Sequence, residues 1–83
     1  MIRLLYFAWV REQLGCDGED YPLAEPVHLA ALLDALAERG GVYASTLHDR
    51  ARLRYAVNQE MHGEDWTVRP GDEVAIFPPV TGG

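Results

Sequence analysis

The chain contains no lysine: all seven of its basic side chains are arginine. A GC-rich genome that favours arginine codons accounts for this bias. Whatever its origin, no lysine here can accept an isopeptide bond from the chain's own C-terminus. The single cysteine, Cys16, excludes an internal disulfide and a cysteine-based zinc site. A small fold without such staples depends on close packing, and the reducing cytoplasm is its expected setting. There is no run of about 18 apolar residues to form a membrane span. Nor does a basic segment precede an apolar one, as a secretory signal requires. Acidic residues outnumber basic ones, 13 to 7, giving a net charge of −6. Binding to nucleic acid needs a basic face against the phosphates, so this balance argues against it. It suits a protein partner with a basic surface, met at an increased rate.

What is present amounts to one small domain. At 83 residues the chain buries only about 60–65% of its unfolded surface, and its 48% apolar content is that of an ordinary globular protein. Ile2 to Ala8 reads as an opening strand, with Ile2, Leu4 and Tyr6 on one face and Arg3, Leu5 and Phe7 on the other. A strand apolar on both faces belongs in the middle of a sheet. Trp9–Leu14 followed by Gly15 reads as a short helical turn closed by glycine. Cys16–Asp20 reads as a polar turn, and Tyr21-Pro22-Leu23 as at most a short edge strand, because of its proline.

The main helix is expected to start near Pro26–Leu29. Leu29, Leu32, Leu33 and Leu36 then recur at helical spacing as a core stripe, and Gly40-Gly41 ends it. Residues 42–50 show no clear period and suggest a loose helical turn. From Arg52 the period returns to two: Leu53, Tyr55 and Val57 face one way, Arg52, Arg54 and Ala56 the other. Asn58-Gln59-Glu60 is a turn, and Met61-His62 begins a short return strand. Arg69-Pro70-Gly71-Asp72 has the pattern of a type II turn, and it launches a last strand over 72–77. The order predicts an α+β plan with one main helix on one face of a mixed sheet. If the first and last strands lie together at the sheet centre, the arrangement is the β-grasp, or ubiquitin-like, fold.

Catalytic motifs are scarce. His28, His48 and His62 lack metal-ligand spacing and are expected to be solvated, so no metal is expected. Ser45 has no flanking glycines. The glycine pairs precede no phosphate-binding helix, and Cys16 has no cationic neighbour to activate it. Arg50, Arg52 and Arg54 read as a solvated strand face. Apolar residues expected to be exposed are more telling. With the leucine stripe on one sheet face, Leu5, Phe7, Ala75 and Phe77 fall on the other, with Met61 near. An exposed aromatic patch of this kind marks a protein interface. Phe7, Met61 and Phe77 are therefore expected to bind a partner.

The C-terminus carries the strongest signal. Pro78-Pro79 cannot continue a sheet ladder and sends the chain away extended. Val80-Thr81-Gly82-Gly83 then narrows to two residues without a Cβ. From Pro78 to Gly83 the chain spans at most about 20 Å at ~3.3–3.6 Å per residue. A diglycine carboxylate on such a stalk can enter a slot that a side chain would block.

Taken with Phe7-Ala8, Val10-Arg11-Glu12, Leu14-Gly15, Leu32–Leu36, Ala56–Gln59 and Pro70–Ala75, the closing Phe77–Gly83 resembles the small-subunit family of molybdopterin synthase. These are ubiquitin-like sulfur carriers, and the resemblance covers essentially the whole chain. It implies a single β-grasp domain over residues 1–83, with 78–83 an extended tail. It implies further that an ATP-dependent adenylating enzyme activates Gly83 and that a sulfur donor protein converts it to a thiocarboxylate. The sulfur then passes to a cyclic pterin precursor, building the dithiolene that holds molybdenum. Pro79, Val80, Thr81 and Gly82 would insert into the large subunit, which carries the catalytic pocket of a heterotetramer. This chain would itself bind no cofactor, ATP being used by the activating partner. Three other readings share the pattern: a thiamin-pathway sulfur carrier, a ubiquitin-related modifier, and a β-grasp interaction module with an inert tail. Deleting Gly83 separates the last from the rest.

Overall fold

Alternating hydrophobicity builds the sheet. In the computed structural model, which describes residues 1–79, Ile2, Leu4 and Tyr6 turn one buried face of strand β1 (Ile2–Tyr6) towards the core. Val74 and Ile76 do the same in β7 (Glu73–Phe77), as do Tyr55 and Val57 in β4 (Arg54–Val57). With β2 (Gly18–Tyr21) and β5 (Glu60–His62), these strands form a five-stranded sheet in the order β2-β1-β7-β4-β5. The central pair β1 and β7 is parallel, with Leu4 opposite Val74 and Tyr6 opposite Ile76. The other pairings are antiparallel. The first and last strands thus share the sheet centre, as their apolar character predicts.

One side of this sheet is covered. Helix α2 (Leu29–Ala37) buries Leu29, Leu32, Leu33 and Leu36 in a core shared with the inward residues of β1, β4 and β7. Each such side chain contributes roughly 1.5–3 kcal/mol by leaving water. Helix α1 (Ala8–Leu14) adds Val10 and ends at Gly15, whose φ of 78° is left-handed. Thr46 and Leu47, at the end of α3 (Gly41–Thr46), are also buried. No side chain caps α2. Instead the amides of Leu29 and Ala30 donate to the carbonyls of Trp66 (2.8 Å) and Glu64 (2.9 Å). Two otherwise unpaired helix-end donors are satisfied in this way.

Several local expectations need correction. Residues 18–20 are strand rather than turn: β2 pairs with β1 and ends before Pro22. Its polar residues suit a half-solvated edge, where ladder hydrogen bonds decide the conformation. The segment before α2 is also extended, because β3 (Val27–His28) pairs with β6 (Thr67–Val68) in a separate two-stranded ribbon. Residues 41–46 form a true helix. Arg50–Arg52 form a 3₁₀ turn rather than a strand face. Arg50 bonds the carboxylates of Asp34 and Glu64, and the Arg52 guanidinium lies 5.1 Å from the centre of the Trp9 ring. Arg54 alone of the three is on a strand. His62 is not solvated: its ring stacks on Trp66 at 3.5 Å, and its side chain is 18% exposed.

Two turns fix the register near β7. Asn58 and Gln59, with φ of 51° and 70°, form the two-residue loop between β4 and β5. This is the twist-matched hairpin geometry. Asn58 then ties the loop to β7: its side-chain amide donates to Asp72 (3.0 Å), and its side-chain oxygen accepts from the Glu73 amide (3.0 Å). In the Arg69–Asp72 turn, the positive φ of Gly71 (93°) and the Asp72 amide donating to the Arg69 carbonyl (3.1 Å) match the predicted type II geometry.

Candidate functional site: the open sheet face

Cross-strand partners share a face of the sheet, so the register maps the side that no helix covers. One row crosses all five strands: Gly18, Leu5, Ala75, Ala56 and Met61. Towards the start of β7 the next row is charged, with Arg3 opposite both Asp20 and Glu73. Towards its end lies an aromatic row. Phe77 faces Arg54, and the parallel register extended by one residue sets Phe7 beside Phe77. The Phe7 amide donates to the Ile76 carbonyl at 3.2 Å and so carries the ladder that extra step. The open face therefore grades from charged, through small and apolar, to aromatic.

The apolar residues of this face are accessible to differing degrees. Phe7 is 45% and Met61 61% exposed, and Phe77 is half-buried. Leu5, Ala56 and Ala75 between them are also only partly covered. The structure thus brings Phe7 and Phe77 to one row and sets Met61 at the far edge of the adjoining one. Arg54 belongs to the same surface but is absent from the sequence-based set of contact residues. Its Nη1 donates to the carbonyls of Ala51 (3.1 Å) and Leu53 (2.8 Å), which fixes the guanidinium beside the aromatic row. The alternation Leu53-Arg54-Tyr55-Ala56 was the available signal, since it already placed Arg54 opposite the buried residues.

β7 delivers the C-terminus from the aromatic end of this face. Pro78 and Pro79 follow Phe77 outside the ladder and are half-buried. The expectations for Val80, Thr81, Gly82 and Gly83, including that of an extended tail, concern residues outside those described.

The most connected polar cluster lies elsewhere. Glu19 on β2 accepts from the hydroxyls of Tyr6 (2.8 Å) and Tyr43 (2.7 Å) and from Arg39 (2.7 Å). Burial opposes its ionisation, but the hydrogen bonds from Tyr43, Arg39 and Tyr6 outweigh that and hold its carboxyl below the usual range. Burial, reinforced by Glu19, pushes the Tyr6 phenol well above the tyrosine range, so it remains a neutral donor. Every member has a partner within the protein, as in a clamp between β2, β1 and α3. Cys16 packs half-buried against the core. Among the described residues no group of three or more His, Cys, Asp or Glu could hold a metal ion, and no helix is long and apolar enough to cross a membrane. A cavity of about 240 Å³ beside Asp65, Trp66, Thr67 and Arg69 includes none of the predicted site residues.

A central parallel pair of terminal strands, a helix across one face and a C-terminal segment leaving the central strand define the β-grasp, ubiquitin-like class. The chain belongs to the ThiS family, which matches residues 4–83. It is 42% identical to the molybdopterin synthase sulfur carrier subunit of Escherichia coli and 38% identical to that of Haemophilus influenzae. Both alignments cover 100% of each chain. Among solved structures, one from Pyrococcus furiosus assigned as molybdopterin converting factor subunit 1 superposes with a TM-score of 0.78 at 26% identity. That match covers 95% of this chain and 97% of the other.

Proposed function

We propose that this chain is the sulfur carrier subunit of a molybdopterin synthase, and that its sulfur travels as a thiocarboxylate on Gly83. The observation that carries this reading is the full-length similarity to molybdopterin synthase sulfur carrier subunits, which takes in Gly82-Gly83. The chemistry follows from the terminus. A carboxylate is a poor electrophile, so an adenylating partner uses ATP to make the Gly83 acyl-adenylate and releases pyrophosphate. The outer sulfur of a persulfide on the donor protein then displaces AMP to give an acyl disulfide. A thiol breaks that S–S bond, leaving a disulfide on the donor and freeing the thiocarboxylate, whose sulfur is the nucleophile offered to the pterin precursor. Gly82 keeps the approach narrow. The pocket for transfer lies on the large subunit, and this chain holds neither metal nor nucleotide.

Docking belongs to the aromatic end of the open face, because that surface sits at the root of the tail. Phe7, Phe77 and Met61 would be buried there against the large subunit, with Pro79–Gly82 inserted beyond them. Cytoplasmic location suits both the thiol-dependent chemistry and the unpaired Cys16.

Intact mass after co-expression with the activating enzyme tests the chemistry: a gain of about 16 Da, oxygen replaced by sulfur, is expected at the terminus. Removal of Gly83 should abolish that gain and molybdopterin formation while docking persists. Phe77→Ala should do the reverse, leaving thiocarboxylation possible but weakening docking by about 2 kcal/mol with little change in Tm. Full molybdopterin formation by a chain without Gly83 would favour an interaction module with an inert tail.

A further inference from the structure

Ala8 stands out on the backbone. Its φ is +52°, a left-handed conformation in a residue that carries a Cβ, and Cβ–carbonyl crowding makes that costly. Such outliers persist where surrounding structure enforces them, and they cluster at functional sites. Here the surroundings are specific. On the N-terminal side, Phe7 is extended (φ −128°, ψ 157°) and its amide is held by the Ile76 carbonyl at 3.2 Å. On the C-terminal side, the Phe7 carbonyl accepts from the amides of Val10 (3.1 Å) and Arg11 (3.3 Å), opening helix α1. Both backbone groups of Phe7 are thereby committed, one to the sheet and one to the helix. The change of direction between them falls on Ala8.

This bend has a consequence for the open face. A chain continuing as strand past Phe7 would run alongside Pro78 and Pro79, neither of which can donate to a ladder. A chain turning one residue earlier would take Phe7 out of the row it shares with Phe77. The left-handed residue at position 8 ends the strand after Phe7, a residue that is 45% exposed.

We propose that Ala8 is a positioning residue for partner docking. Its left-handed backbone fixes Phe7 as a preset aromatic contact beside Phe77, so that little ordering of this segment is left to the moment of binding. The inference rests on the docking reading above and adds to it a residue that need not touch the partner.

The test measures binding of the purified cognate large subunit by calorimetry, in a Gln59→Gly background chosen to add stability away from this site. Ala8→Gly and Ala8→Asn, which both tolerate positive φ, should bind within about threefold of the parent. Ala8→Val, whose branched Cβ forbids that conformation, should bind about tenfold more weakly or worse. In a Phe7→Ala background, Ala8→Val should cost less than about twofold more, because its effect passes through Phe7. Parent-like binding by Ala8→Val overturns the proposal. So does a loss that persists in full without the Phe7 ring. An Ala8→Val chain that does not fold would also overturn it, by making Ala8 a requirement of folding rather than of docking. Phe7→Ala binding like the parent is a separate result, which sinks the docking surface itself.

Discussion

Glu19 concentrates more polar interactions than any other single side chain described above, and all of them serve architecture. With Tyr6, Tyr43 and Arg39 bonded to one carboxylate, removing that group would strand the buried Tyr6 hydroxyl at a cost of about 1–3 kcal/mol. Its pH dependence has a definite sign. The folded-state pKa lies below the unfolded value of about 4.3. The stabilisation is therefore complete above that value and is lost as pH falls through the lower, folded-state pKa. Thermal melting between neutral pH and pH 3 should show Tm dropping at the acidic end. Glu19→Gln should have a lower Tm at neutral pH and a shallower acid slope. Equal slopes in the two proteins would place the acid sensitivity on other carboxylates.

The elements differ in how much of themselves they announce. The loop between β4 and β5 asks for positive φ at both positions, and Gln59 meets that demand with a residue that carries a Cβ. Gln59→Gly should stabilise the fold by about 0.5–1 kcal/mol, the relief of left-handed strain less the added freedom of the unfolded chain. Urea denaturation checks this, and a fall in midpoint would mean that the Gln59 side chain supports the turn. Strands β1, β4 and β7 and helix α2 were legible because each repeats its period long enough to mark a buried face. β2 was not, since Gly18-Glu19-Asp20-Tyr21 has no apolar alternation and owes its conformation to pairing with β1. The β3–β6 ribbon was hidden by its length of two residues per strand, and α3 by having fewer than two turns. For the proposed docking surface, alternation alone put Phe7 and Phe77 on the uncovered face. Alternation also placed Arg54 on that face. Its anchoring by the Ala51 and Leu53 carbonyls and the left-handed turn at Ala8 depend on backbone geometry, which residue type does not report.

At the scale of the molecule, the sheet is closed by residues from opposite ends of the sequence. β7 lies between β1 and β4, so the β2-β1 and β4-β5 pairs join into one sheet only when the last strand is in place. Folding must close a loop of nearly the whole chain before its central contacts form, which predicts refolding in the millisecond-to-second range of non-local folds. Stopped-flow refolding checks this, and microsecond kinetics would mean that the helical side organises the domain without the central pair. The same connectivity acts on faulty products. A chain cut in the Arg69–Asp72 turn, or terminated before Glu73, loses Gly83, the proposed sulfur-bearing residue, together with the central strand of the sheet. It cannot linger as a folded decoy on the partner's docking surface, because the strand that bears the tail is also the strand that completes the face.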